Sequence, residues 1–133
     1  MRKFIIILLA FALIAAACGG DEAAKDPADI DTCEGLADAT IVMLQDVIDV
    51  LGDLDAAETG ALMGGQMPEA FTPLEATAVA IGTRAGELEC ANLNDLLAER
   101  ADGLSAADDN AFGGLIIQGV KDGDEDVLDR LFR

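Results

Sequence analysis

The sequence predicts an all-α fold: a small bundle of four or five helices in which a disulfide staples an antiparallel helical hairpin. Two observations favour helices over strands. Apolar residues recur at steps of three and four along most of the chain, which is the period of a helix with one buried face. Residues that commonly cap helices precede several of these segments. The heptad pattern of a coiled coil is not sustained anywhere in the sequence.

The first and longest helix is predicted from Cys33 to Leu54. Asp31 or Thr32 can cap its start, and Glu34 places a negative charge in the first turn, where the helix dipole favours it. The predicted buried face consists of Leu36, Thr40, Met43, Leu44, Val47, Val50, Leu51 and Leu54. Aspartates occupy the other side, as an amphipathic helix requires.

A second helix is predicted to begin at Thr72 and to close at Cys90. Thr72 is expected to be the N-cap, with Pro73 at the first helical position and Glu75 as the carboxylate of a capping box. Its buried face would consist of Leu74, Thr77, Ala78, Ile81, Ala85 and Leu88.

Three shorter helices are expected after the second. One begins around Leu93 and ends near Gly103, and the next follows a capping signal at Ser105. The apolar residues of that fourth helix are Phe112, Leu115, Ile116 and Val120. A buried strand through residues 115–117 is the alternative, but it would leave backbone groups unpaired, since no partner strand is evident. After Gly123, Asp124 can cap a terminal helix whose apolar face is Val127, Leu128, Leu131 and Phe132.

The N-terminal 17 residues have the pattern of an export signal. Arg2 and Lys3 form a positive start, and the stretch from Phe4 to Ala17 is apolar and uncharged. This run is shorter than the roughly 20 apolar residues that span a bilayer. The sequence therefore predicts a signal peptide over residues 1–17.

The sequence Ala15-Ala16-Ala17-Cys18 resembles the lipobox of bacterial lipoproteins, although Ala15 stands where Leu is usual. The resemblance implies that Cys18 is lipidated and becomes the mature N-terminus. The protein would then be anchored by lipid in the cell membrane or outer membrane, on the extracytoplasmic side. The alternative is an ordinary secretory peptide that leaves Cys18 as a free thiol, which would be unusual in an oxidising compartment.

The two organisational regions that follow the signal differ in composition. Residues 18–31 are small and acidic and contain Pro27, so a flexible tether is expected there after the lipidated cysteine. Residues 32–133 carry the helical segments and would form the folded domain. The length of the whole chain, 133 residues, limits it to one such domain.

Once Cys18 is assigned to lipid, Cys33 and Cys90 remain as an even number in an exported chain, and a disulfide is expected. Cys33 opens the first long helix and Cys90 closes the second, so an antiparallel hairpin brings the two together. A redox or metal-binding thiol pair is the alternative. The sequence has neither a CxxC spacing nor a histidine to support it.

Composition excludes some functions. Eight Lys and Arg against 26 Asp and Glu give a formal net charge of −18, which repels nucleic-acid phosphates, so no nucleic-acid partner is expected. The chain has no histidine, no GxSxG elbow and no Gly-rich phosphate loop, and Ser105 is its single serine. We therefore expect no enzymatic activity and no cofactor.

Two groups of acidic residues are candidate cation sites. Asp122-Gly123-Asp124-Glu125-Asp126 resembles the start of a calcium loop, but Val127 stands where such a loop needs Gly, and Arg133 where it needs Glu. Asp46, Asp49 and Asp53 share one helix face, which in an acidic chain is typical of a solvated surface. No metal site is predicted, with a weak calcium site as the alternative.

The connection between the two long helices, residues 56–71, is unusually apolar for a loop and is rich in glycine. Its large apolar residues are Leu62, Met63, Met67 and Phe71. These side chains either cover the open end of the hairpin or contact a partner or an apolar ligand, since methionine-rich surfaces adapt to varied contacts.

The sequence thus predicts a lipid-anchored module whose partners are the membrane, through the anchor, and another envelope protein. The alternative is a small lipoprotein that binds a ligand or a cation. A third interpretation treats the acidity as adaptation to salt, which is silent on function.

Overall fold

The computed structural model describes residues 26–124, which contain helices and no strands. Within these residues, the five α-helices are α1 (Cys33–Asp53), α2 (Ala56–Met63), α3 (Thr72–Glu87), α4 (Leu93–Arg100) and α5 (Ala111–Lys121). Three single 3₁₀ turns lie at Pro27–Asp29, Glu69–Phe71 and Ala101–Gly103. The predicted all-α fold is confirmed, and the strand considered at residues 115–117 is part of α5.

Helix α1 lies at the centre of the bundle and packs against α3, α4 and α5. Of the predicted face, Leu36, Thr40, Met43, Leu44 and Val47 are buried, whereas Val50, Leu51 and Leu54 are only half-buried at the edge of the core. Ala37 and Ile48 are also buried, although they were not predicted to be. Thr40 is tolerated there because its hydroxyl donates to the Leu36 carbonyl oxygen at 2.7 Å. Thr32, rather than Asp31, is the N-cap, and its hydroxyl accepts from the Gly35 amide.

The predicted disulfide between Cys33 and Cys90 is present, with the two Cα atoms 5.6 Å apart. It joins the first residue of α1 to the chain just beyond the end of α3, so the two helices run antiparallel. Between α3 and Cys90, Glu89 adopts a positive φ of 54°, which ends the helical path of the chain just before the disulfide-bonded Cys90.

The start of α3 differs from the prediction. Thr72 is not the N-cap, because its backbone is already helical (φ −53°, ψ −46°), whereas an N-cap is usually extended. The N-cap is Phe71, which makes no capping hydrogen bond through its side chain. The 3₁₀ turn Glu69–Phe71 runs directly into α3, so Phe71 and Thr72 both have helical backbone angles. Thr72 therefore lacks the extended backbone that an N-cap residue usually has.

The prediction of a loop over residues 56–71 is wrong in part, because the first half of this connection is the helix α2. Asp55 and Glu58 form a complete capping box at its start. These capping bonds outweigh the low helix propensity of Gly60.

Helix α5 begins later and packs differently than predicted. Its N-cap is Asn110, not Ser105, which is exposed. Its buried residues are Gly113, Ile116, Gly119 and Val120, whereas Phe112 and Leu115 face outward. The glycine side faces α1 because only a residue without a Cβ fits there: a Cβ on Gly113 would lie 2.8 Å from Ile48 Cγ2.

The tether expected over residues 18–31 does not extend that far. Pro27–Asp29 packs against α3, and Ile30 is buried in the core with 6% of its surface exposed. Arg84 of α3 holds this segment, because its Nε donates to the Ile30 carbonyl oxygen at 2.7 Å. The folded chain therefore begins before the predicted boundary at residue 32.

Several predictions lie outside the described residues: the signal peptide, the lipidation of Cys18 and the terminal helix with Val127, Leu128, Leu131 and Phe132. Within residues 26–124, each helix is too short or too polar to cross a membrane.

Candidate partner-binding surface

Helix α2 is fixed at its start by side-chain caps. Asp55 Oδ1 accepts from the amides of Ala57 and Glu58, each at 2.8 Å, and Glu58 Oε2 accepts from the Asp55 amide at 3.1 Å. Two backbone donors that a helix leaves free at its N-terminus are satisfied in this way. A sequence of eight residues can therefore stay helical without a long hydrogen-bonded interior.

The end of α2 is a Schellman turn. The Gln66 amide donates to the Ala61 carbonyl oxygen at 2.9 Å, the Gly65 amide donates to Leu62 at 3.0 Å, and Gly65 has the required positive φ of 80°. Met63 lies in the last turn and Met67 lies just past this turn. The two methionines therefore lie at the end of α2 and in the short stretch of chain that follows it.

The four residues that the sequence predicts for partner contact differ in their exposure to solvent. Phe71 is buried, with 8% of its surface exposed, so it belongs to the core and supports the hairpin. Leu62 is half-buried. Met63 and Met67 are exposed by 76% and 65%, which leaves them as the two nominated residues that a partner can reach.

The rest of the fold holds α2 weakly. The helix contains no buried residue and makes no extended packing with another element of the described chain. Isolated helices of this length are marginal in water without tertiary packing. We call residues 55–68 the methionine arm, a segment ordered by its own caps rather than by the core.

The charge around the methionine arm has one sign. The carboxylates of Asp55, Glu58 and Glu69 are exposed within the arm or next to it in the sequence. The sequence contains no Lys or Arg between Lys25 and Arg84, so no positive side chain lies nearby along the chain. The arm therefore combines two exposed methionines with a net negative charge.

Elsewhere, the acidic surface is engaged in local contacts. Asp49 accepts from Gln45 Nε2 at 2.8 Å, and Asp122 accepts from Gln118 Nε2 at 3.0 and 2.9 Å. Among residues 26–124, no group of three or more acidic or cysteine side chains is arranged to hold a metal ion.

The basic residues of the described chain each join two separate segments. Arg84 binds Asp31, Arg100 binds Asp38 and Lys121 binds Asp102. The hydrogen bond and the charge of Lys121 hold the pKa of Asp102 below its ordinary value of 3.8.

A half-open cavity of about 310 Å³ lies where the end of α1, the helix α2 and the start of α5 meet. Its lining residues are Leu51, Gly52, Leu54, Thr59, Asp109, Asn110, Ala111 and Phe112. Sequence reasoning missed this cavity, because its walls come from three segments far apart in the chain. It is one place at which the small-ligand hypothesis can be tested.

No protein-family model, no curated protein and no solved structure matches the chain. The candidate surface therefore rests on the geometry of the methionine arm and on the sequence.

Proposed function

We propose that this chain is a membrane-anchored lipoprotein on the extracytoplasmic side of a bacterial envelope, and that it binds another envelope protein without catalysing a reaction. The anchor is supported by the sequence of residues 1–18, with Cys18 as the lipidated residue. The binding role is supported by one observation: Met63 and Met67 are exposed on an arm that the core does not hold. The lack of histidine and the single serine support a role without catalysis.

The proposed partner presents an apolar patch flanked by Lys and Arg. Methionine side chains are unbranched and polarisable, so the pair at 63 and 67 can adapt to an apolar patch of irregular shape. Asp55, Glu58 and Glu69 would pair with basic residues at the rim of the interface. Rim charges of this kind raise the association rate and make it sensitive to salt.

Site-specific photo-crosslinking in intact cells tests the binding role. A crosslinking amino acid is placed at position 63 or 67, and in a matched control at Val79, which is also exposed (60%) but lies on α3. We expect one dominant product from positions 63 and 67 and its absence from position 79. The joined peptide of the partner should contain basic residues next to apolar ones.

A substitution separates binding from folding. Met63→Ser should reduce the crosslink from position 67 several-fold while leaving the melting temperature unchanged, because Met63 is exposed and adds little to the core. Equal products from positions 63, 67 and 79, or a product that survives Met63→Ser unchanged, would contradict binding through the methionine arm.

The anchor has its own test. The chain and its Cys18→Ser variant are expressed in bacteria, the membranes are separated, and the mass of the N-terminal peptide is measured. We expect an acylated peptide beginning at Cys18 and membrane association that the variant loses. An unmodified Cys18, or a variant that stays with the membrane, would overturn the anchored half of the proposal.

A further inference from the structure

The cavity between α1, α2 and α5 has apolar walls. Leu51 and Leu54 line it from the end of α1, and Ala111 and Phe112 line it from the first turn of α5. Leu51 and Leu54 are half-buried, and Phe112 keeps 44% of its surface exposed. Apolar surface left in contact with water favours an occupant that removes it from water. The walls therefore suit the apolar part of a small molecule.

The part of the wall that Asn110 forms is held in place by the core. Asn110 is buried, its Nδ2 donates to the Ile48 carbonyl oxygen at 2.8 Å, and its Oδ1 accepts from the Gly113 amide at 2.9 Å. Beside it lies Gly52, where a Cβ would come within 3.2 Å of Asn110 Nδ2. Since both ends of the amide are already bonded, Asn110 fixes the shape of the cavity rather than selecting a ligand.

Thr59 and Asp109 are the other polar side chains of the lining. Threonine hydroxyls elsewhere in the helices, those of Thr40, Thr77 and Thr83, each donate to the carbonyl oxygen four residues earlier. The half-buried Thr59 hydroxyl makes no such bond and no hydrogen bond to another described residue. It is therefore available to a molecule in the cavity.

Charge limits the kind of molecule that can bind. Of the described residues that line the cavity, Asp109 is the charged one. It is exposed, and the ion pairs of Arg84, Arg100 and Lys121 all go to other carboxylates. The formal net charge of −18 adds to this preference, because it attracts cations and repels anions. A ligand should therefore carry a positive charge next to its apolar part.

We infer that the cavity binds a small organic ammonium ion with an apolar chain. The ammonium group pairs with Asp109, and the chain lies against Leu51, Leu54 and Phe112. The Thr59 hydroxyl supplies a polar contact from α2. Because these walls belong to α1, α2 and α5, a bound ligand links the weakly held α2 to the core. The inference does not depend on the proposed function, since neither exposed methionine lines the cavity.

Three probes test the inference by calorimetric titration of the oxidised protein at constant ionic strength. Hexylammonium has both the charge and the chain, hexanol has the chain alone, and methylammonium has the charge alone. We expect saturable binding of hexylammonium at one site per chain, with a rise in Tm. Hexanol and methylammonium should each bind at least about tenfold more weakly, since each lacks one of the two contacts. Methylammonium binding as tight as that of hexylammonium would overturn the inference, because charge alone would then account for it.

Two neighbouring aspartates give a matched pair of variants. Asp109→Asn should weaken hexylammonium binding about tenfold, whereas Asp108→Asn removes an exposed charge outside the lining and should change it little. Thr59→Val keeps the shape of the side chain and should weaken binding several-fold. Equal losses from Asp108→Asn and Asp109→Asn, or no loss from either, would overturn the inference.

Amide hydrogen exchange gives a readout that nonspecific attraction of cations would not change. Hexylammonium should slow exchange in residues 56–63 of the parent protein, because the ligand links α2 to α1 and α5. The same concentration should have no such effect on Asp109→Asn. Slower exchange to the same extent in both proteins, or in neither, would place the binding elsewhere and overturn the inference.

Discussion

Asn110 ties the start of α5 to the C-terminal part of α1, because its Nδ2 donates to the carbonyl oxygen of Ile48 at 2.8 Å. The Oδ1 of the same side chain accepts from the Gly113 amide at 2.9 Å and caps α5. The residue is buried, with 8% of its surface exposed. One side chain thus satisfies polar groups of two helices inside the core.

Replacing Asn110 by Ala should therefore lower the free energy of unfolding by about 2 kcal/mol, since it leaves a buried amide without its cap. Asn110→Asp separates the two roles: it keeps the capping acceptor but loses the donor and places a carboxylate against the Ile48 carbonyl oxygen. We expect Asn110→Asp to be clearly destabilised in urea titrations at neutral pH. If it were as stable as the parent protein, the bond to Ile48 would contribute nothing.

The close approach of α5 to α1 makes a prediction about glycine. A Cβ on Gly113 would lie 2.7 Å from Asn110 Nδ2 and 3.0 Å from Ala106 Cβ. Gly113→Ala should therefore cost about 1–3 kcal/mol despite the better helix propensity of Ala. The matched variant is Gly82→Ala on α3, where the new Cβ meets nothing within 4 Å.

Gly82→Ala should raise stability by about 0.5–1 kcal/mol, since alanine is less free in the unfolded chain. Chemical unfolding of the two variants in parallel gives the comparison. Stabilisation of both variants to the same extent would show that Gly113 is not held against α1.

These residues also show what the sequence can and cannot predict. Helix α1 was predictable because its apolar residues recur at the steps of three and four that place them on one side of a helix. This pattern can be read from neighbouring residues alone. The capping box of α2 is equally local: Asp55 and Glu58 stand at the correct spacing. The glycines nearby favour a loop, and in the sequence alone this signal outweighs the capping box.

The start and orientation of α5 could not be predicted in the same way. Ser105 and Asn110 are both good N-cap residues, and the choice between them depends on the Ile48 carbonyl oxygen, 62 residues away in the chain. The outward position of Phe112 follows from the need to place Gly113 against α1. Hydrophobic spacing alone favours the opposite orientation, because it ranks phenylalanine above glycine for burial. The candidate surface could not be predicted fully for the same reason, because sequence alone does not show which apolar residues of a segment are buried. Phe71 is buried, whereas Met63 and Met67 are exposed.

The disulfide makes a third prediction. The bond between Cys33 and Cys90 closes a loop with a sequence separation of 57. Replacing both cysteines by Ser should lower the free energy of unfolding by about 4 kcal/mol, mainly because the unfolded chain is no longer restricted. The control is the parent protein in reductant, which should unfold at the same denaturant concentration as the double variant. Cys18→Ser is present in every sample to prevent exchange. A parent protein that reductant leaves unchanged would contradict this prediction.

Arg84 makes a fourth prediction, concerning the start of the fold. Its Nε donates to the Ile30 carbonyl oxygen, its Nη2 lies 3.3 Å from Asp31, and its Nη1 lies 2.8 Å from Glu87. Lysine has one ammonium group and cannot bind these three partners at once. Arg84→Lys should therefore lower the free energy of unfolding by about 1 kcal/mol. Amide hydrogen exchange should become faster in residues 28–31.

The matched control for Arg84 is Arg100→Lys. Arg100 binds Asp38 and the Leu96 carbonyl oxygen, and none of its hydrogen bonds within the described chain reaches residues 27–31. Its substitution should leave exchange in residues 28–31 unchanged. Faster exchange there in both variants would show a general loss of stability rather than a local clamp at Ile30.

The ion pair between Lys121 and Asp102, 2.8 Å apart, predicts a pH dependence. Lys121 lowers the pKa of Asp102 in the folded protein below 3.8, so the pair stabilises the fold above that value. The contribution is lost as pH falls through the lower, folded-state pKa, because Asp102 is then protonated in both states. The difference in unfolding free energy between the parent protein and Lys121→Gln should be constant near neutral pH and should shrink toward zero in acid.

Because Asp102 is fully exposed, the difference should be small and should decrease with salt. Lys121→Arg, which keeps the charge, is the control and should follow the parent curve; a Lys121→Gln difference that persists unchanged into strong acid would contradict the prediction.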